Sequence, residues 1–242
     1  MPLPPVPPHR PRARRGGRPL RAVECVLLGD GAVGKTSLAL SYSTNGFPAR
    51  YVPTGLDRFS GTVAAEGRAL PLPAPAVVQV DGAPIRLQLC DTAGQDELDA
   101  LWPACCPKAD VCLLCFSVVA PTSFRNVVDK WYPQVRRHCP SAPVLLVGTQ
   151  SDLRQDVKVL IALSRHQEKP VPPSAGRSLA RKLGLDGYVE CSALTQQNLK
   201  EVFDTAIALG LRAAEGPKGQ RAPPSCIWAL SRDWWNKYLC VR

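Results

Sequence analysis

The sequence predicts an α/β domain in which a mostly parallel sheet is covered by helices on both sides. Three observations carry that expectation. Short apolar runs alternate with helix-patterned stretches from residue 22 onward. A segment of the form G-x-x-x-x-G-K-[ST], Gly29 to Thr36, sits where an apolar run gives way to a helical pattern. The stretch 22–211, about 190 residues, holds 18 basic and 18 acidic residues, a neutral block of the size that one full hydrophobic core needs.

Taken in order, residues 1–21 contain seven prolines, too many for helix or sheet, so this arm is expected to be disordered or polyproline II. Residues 22–28 (AVECVLL) read as a strand buried on both faces, and 35–44 as the helix opened by the glycine-rich turn. Residues 61–76 (GTVAAEGRALPLPAPA) are too rich in proline for a regular ladder and are expected to bulge from the sheet edge. The alternation in 85–90 (IRLQLC), behind an Asp81-Gly82 turn, suggests a hairpin of two strands at that edge. Runs 111–119 and 143–148 read as further buried strands, and 122–138, 174–183 and 196–212 as helices. In such sheets ligands sit at the carboxyl ends of the strands, where the motifs below fall.

The 242 residues carry 30 Lys+Arg against 20 Asp+Glu, a formal +10. Six arginines fall in 1–21 with no acid, and 212–242 hold six basic residues against two acidic ones. A nucleic-acid-binding domain shows its excess on a folded face, so this split argues against nucleic acid and for basic ends that seek an anionic partner. The expected organisation is a Pro/Arg-rich arm over 1–21, one domain over 22–211 and a basic, aromatic tail over 212–242. Ten cysteines do not read as a disulfide framework. The N-terminus is proline and arginine rather than a signal peptide, and Cys25, Cys112 and Cys115 lie in apolar runs, where a thiol is a small buried hydrophobe. A cytosolic protein with reduced thiols is the simpler reading. Neither the cysteines nor His9, His138 and His166 make a zinc pattern. No apolar run approaches the roughly 18 residues that span a bilayer.

Gly29, Asp30, Gly31, Ala32, Val33, Gly34, Lys35, Thr36 and the following Ser37 are the candidate phosphate-binding set. The glycines let backbone N–H groups close around phosphate oxygens at a helix N-terminus, Lys35 adds positive charge, and the Thr36 hydroxyl is a ligand for Mg2+. The loop alone does not choose between ATP and GTP.

Three further segments make that choice: Asp91-Thr92-Ala93-Gly94-Gln95, Thr149-Gln150-Ser151-Asp152 and Cys191-Ser192-Ala193-Leu194. In order and placement they resemble the DTAGQ, [NT]KxD and final base-contacting segments of the Rho family of small GTPases. The resemblance runs from about Val23 to Leu211. It implies the small-GTPase fold, with a mostly parallel six-stranded sheet and a Rho-type insert helix near 152–172. A carboxylate at Asp152 would accept hydrogen bonds from guanine N1–H and N2–H2, which adenine lacks, and the Ala193 N–H would donate to guanine O6 with Ser192 beside it. Thr54, in Tyr51-Val52-Pro53-Thr54, would complete the Mg2+ shell with Thr36. Asp91 would hold a metal-bound water, Gly94 would touch the γ-phosphate and Gln95 would orient the attacking water. Lys35, Gly94 and Gln95 are thus the implied catalytic set. Phe47 would pack edge-on against guanine or serve as an ordinary core aromatic. Gln150 replaces the lysine of [NT]KxD, from which weaker base packing and faster nucleotide release follow.

The proline-rich arm, Gln150 and the tail ending Tyr238-Leu-Cys240-Val-Arg242 narrow the resemblance to the atypical Wrch/Chp branch. Cys240 is third from the end, so palmitoylation rather than prenylation is implied, with Trp234, Trp235, Tyr238, Arg232 and Lys237 as a second membrane signal. This would make the protein peripheral on the cytoplasmic face of plasma or internal membranes. Pro5-Val-Pro-Pro8-His-Arg10 fits an SH3 ligand as well as a solvated linker. The resemblance implies a monomer that cycles between GTP and GDP and acts on the cytoskeleton through CRIB-motif kinases. GAPs and exchange factors would set its state. Hydrolysis would be slow, since no arginine stands in cis, and Gly31 leaves room for a GAP's arginine. Leu56, Arg58, Leu98, Trp102 and Cys106 depart from the family pattern at the switches. The rival readings are a lipid-tethered scaffold that recruits SH3 partners and hardly cycles, and a P-loop kinase, which Asp152 disfavours.

Overall fold

The computed structural model describes residues 21–48, 56–58, 76–80, 83–92 and 108–214. Strands β1 (Arg21–Leu28), β4 (Ala83–Thr92), β5 (Val111–Ser117), β6 (Val144–Thr149) and β7 (Gly187–Glu190) lie side by side in the order β4-β1-β5-β6-β7. All four of these pairings are parallel. β5 (VCLLCFS) is buried at every position and so is β6 (VLLVGT), the near-continuous apolar pattern of strands covered on both faces. The two-residue period of a strand divides β5 between two cores. Val111, Leu113 and Cys115 point into one core, with Leu38 and Ala39 of α1 (Lys35–Thr44) and Val202, Phe203 and Ala206 of α6 (Leu199–Ala214). Cys112, Leu114 and Phe116 point into the other, with Trp131, Val135, Leu179 and Ala180.

The outer edge of β4 carries β2 (Leu56–Arg58) and β3 (Ala76–Val80), both antiparallel to it. Seven strands are therefore present among the described residues where six were expected. The difference has a register behind it. Arg58 pairs with Cys90, so an unbroken strand would set residue 61 opposite Leu87, yet Ala76 stands there. The register is offset by fifteen positions, and with β2 and β3 sharing one edge of β4 six strand positions remain. Of the bulge expected over 61–76, only Ala76 is described, and it belongs to the ladder; residues 61–75 lie outside the described residues.

The helix expected over 122–138 forms α2 (Pro121–Asn126), a π-helical turn (Val127–Trp131) and α3 (Tyr132–His138), continuous in sequence. The expected insert is a 3-10 turn (Ser151–Gln155) followed by α4 (Val157–Arg165), N-capped by Asp156, whose carboxylate accepts from Val159 N–H. No residue of α4 is buried, and Val157 and Ile161 are well exposed. α5 (Pro173–Lys182) covers β6 and β7. Cys25, Cys112 and Cys115 are buried free thiols, as their apolar neighbours suggest. Cys139 departs from that expectation, being disulfide-bonded.

Candidate functional site

The phosphate loop leaves β1 at Gly29, whose φ is 139°. A Cβ there would meet the Cys115 carbonyl oxygen at 2.1 Å, so only glycine lets β1 and β5 approach this closely. Gly34, at φ 94°, caps α1 with no side-chain hydrogen bond, and the N-terminus of a ten-residue helix is the end that favours an anion. Lys35, 5% exposed, donates through Nζ to the Gly29 carbonyl (2.8 Å) and the Asp30 carbonyl (2.7 Å). The Asp30 carboxylate turns outward and accepts from Asn126 Nδ2 and Trp131 Nε1.

At the far end of α1's first turn, Thr36 Oγ1 donates to Asp91 Oδ2 at 2.5 Å, and Asp91 is fully buried. A buried carboxylate beside a hydroxyl, next to a lysine and a helix N-terminus, is a hard-oxygen donor set of the kind Mg2+ takes in phosphate sites. The residues present therefore fit the expected ion.

The other end of the cleft is built by two loops at the carboxyl ends of β6 and β7. Thr149 Oγ1 donates to the Val33 carbonyl (2.5 Å), and the Phe116 carbonyl lies 3.0 Å from the same hydroxyl. Gln150 adopts a left-handed φ of 58°. Its Oε1 accepts from Ser117 Oγ (2.6 Å), and its Nε2 donates to the Ala32 carbonyl (3.2 Å). The side chain thus spans from β5 to the phosphate loop and lies close over Gly34. Ser151 N–H donates to the Cys191 carbonyl, which joins the two base loops, and Ser41 of α1 donates to the Ala193 carbonyl at 2.8 Å. Behind them, Arg154 Nη2 sits 2.7 Å from Glu190 Oε2, though off the hydrogen-bonding direction, and the Tyr188 hydroxyl donates to Glu190 Oε1. Burial pushes the Tyr188 hydroxyl's pKa well up, so it remains a donor. Burial also pushes the Cys115 thiol up to about 12, with Lys35 opposing, which keeps this sulfur protonated and inert beneath the loop.

Gly34, Ser37, Leu38, Phe47, Thr149, Gln150, Asp152 and Ala193 line one cleft. The structure thus brings the phosphate loop together with both base loops. Phe47 is 49% exposed and stands on the cleft wall, which decides against a core aromatic. Ser192 is buried, and its hydroxyl accepts from Thr195 N–H within its own loop. Thr54, Gly94, Gln95, Cys240 and the 5–10 motif lie outside the described residues. Ser41, Ser117, Asn126 and Trp131 were not singled out from the sequence. The only local signal was Asp30, a carboxylate in a loop meant for anions, which needs donors from elsewhere.

A glycine-rich loop on a helix N-terminus, a threonine paired with the buried Asp91 and a base cleft carrying Asp152 define a nucleotide-binding domain of the small-GTPase class. The model of the Ras family matches residues 24–211, and the chain belongs to that family. Within it the chain is a Rho-type GTPase of the atypical branch. It is 49% identical over 234 residues to the Rho-related GTP-binding protein RhoV of Bos taurus, covering 96% of this chain and 92% of that one. It is also 49% identical over 223 residues to RhoV of Homo sapiens and of Mus musculus, in each case over 92% of this chain and 88% of the relative.

Proposed function

We propose that this GTPase binds GTP and GDP through the cleft described above and switches state by slow hydrolysis of GTP. The observation that carries the reading is the meeting of Asp152, Ala193 and Phe47 with the phosphate loop in one cleft. In this reading Asp152 takes the guanine N1–H and N2–H2, and Lys35 swings from the Gly29 and Asp30 carbonyls to the β- and γ-phosphates. The first-turn N–H groups of α1 take the remaining phosphate oxygens. Thr36 and Thr54 would hold Mg2+, with Asp91 beside Thr36; when bound, the ion would supply positive charge against that developing on the phosphates. Gln95 and Gly94 act on the attacking water and the γ-phosphate. Competition against mant-GDP tests the base reading: GTP displaces the probe and ATP does not, whereas equal displacement by ATP would overturn it. Single-turnover hydrolysis tests the switch. A Rho-family GAP accelerates the parent, and Gln95→Leu abolishes turnover.

Effectors, GAPs and exchange factors of the Rho type, among them CRIB-motif kinases acting on the cytoskeleton, are the partners this reading assigns. SH3 adaptors at 5–10 and a membrane surface at the tail complete the set. None of the described helices is long and apolar enough to cross a membrane. The proposed attachment is an acyl chain on Cys240 with its aromatic and basic neighbours. If Cys240→Ser leaves membrane fractionation unchanged, that anchor is wrong. The scaffold reading draws on one observation, the neutral Gln150 where the family carries a lysine. It predicts fast release and a turnover insensitive to a GAP.

A further inference from the structure

The Asp30 carboxylate is held at both oxygens. Asn126 Nδ2 donates to Oδ2 at 2.6 Å and Trp131 Nε1 to Oδ1 at 2.7 Å. The two donors are five residues apart in sequence. On an α-helix, five residues turn about 500°, which leaves the side chains roughly 140° apart and unable to share one carboxylate. A π-helical turn bonds residue i to i+5 and so brings such residues to one side. The turn Val127–Trp131 is that device: Asn126 ends α2 just before it, and Trp131 is its last residue.

A carboxylate one residue from Gly31 would repel a bound phosphate if it turned inward. Held outward by two donors, it instead fixes the loop's entry from β1. Trp131 is fully buried in the core beneath β5, so its indole N–H is a stationary anchor.

We propose that Trp131 and Asn126 are positioning residues for nucleotide binding. Through the Asp30 carboxylate and the π turn they hold the phosphate loop in its anion-receiving shape and slow nucleotide release. The inference rests on the nucleotide reading above, and release of mant-GDP from the full-length protein in excess Mg2+ tests it. Trp131→Phe keeps the ring and removes the N–H donor. Release becomes about tenfold faster or more, Asn126→Leu acts in the same direction, and Asp30→Asn combined with Trp131→Phe adds little to either alone. Val135→Ala is the control: it opens a cavity in the same helix's buried face and lowers the melting temperature without a comparable change in release. The inference is overturned if Trp131→Phe releases the probe within twofold of the parent, or if Val135→Ala accelerates release as much. A parent protein that binds no mant-GDP would remove the nucleotide reading and this inference with it.

Discussion

At the carboxyl ends of β5 and β6, backbone carbonyls from distant segments are tied by side chains: Thr149 to Val33, Gln150 to Ala32, Ser41 to Ala193. Along the outer side of β4, Arg58 pairs with Cys90 and Ala76 with Leu87, a register offset by fifteen positions. The first region connects loops from four different elements, so a change in one shifts the others. In the second, the described link is main-chain pairing, which any residue with an N–H supplies. Nucleotide binding rests on the former, while the latter tolerates alteration, and substitutions should sort accordingly.

The sharpest contrast comes from Asp152→Asn, which removes the charge to which guanine reading is assigned above. GDP affinity falls about 100-fold, the loss of charge-assisted hydrogen bonds, in an equilibrium titration with mant-GDP. A fall under about threefold would mean that the base is read elsewhere. Thr149→Val comes next, because it leaves the buried Val33 and Phe116 carbonyls without their hydroxyl. It costs about 1–3 kcal/mol of stability, measured by urea unfolding at saturating GDP. Gln150→Lys has a smaller effect: it exchanges the Ser117 contact for a charge beside the base and slows mant-GDP release about fivefold, an effect near 1 kcal/mol. Should the parent release no faster than this variant, the altered motif has no kinetic role. Smallest is removal of residues 61–75, which restores the register of a continuous edge. Affinity for GDP stays within about twofold, and unfolding free energy changes by about 1 kcal/mol or less, since loop closure grows only with the logarithm of length. A large loss of affinity there would erase the distinction between the two regions.

Where local pattern and local chemistry agree, the sequence is legible. α1 runs over the residues its turn and periodicity predict, because Gly34 sets its start and Asn45, in a left-handed conformation, sets its end. The long helix over 122–138 was visible, but its π turn was not. The change in pitch answers to Asp30, about a hundred positions away in sequence. β7 has four residues, too few for a period to show. α6 begins at Leu199 rather than 196, since Gln196 and Asn198 both take positive φ in the turn before it. The motifs marked Asp152, Ala193 and Lys35, whereas Ser41 and Ser117 support the cleft from positions with no local mark, and only the folded chain brings them there.

The alternation that sends β5 into both cores has a consequence for how the domain opens. With parallel neighbours on each side and every position buried, β5 has no route to solvent short of unfolding the whole sheet. Its amide protons should exchange at the rate set by global opening, while those of the three-residue β2 exchange through local fraying. A ligand that stabilises the fold will therefore slow exchange in β5 by its full binding free energy, which makes that strand the internal reference against which occupancy of the nucleotide cleft can be read.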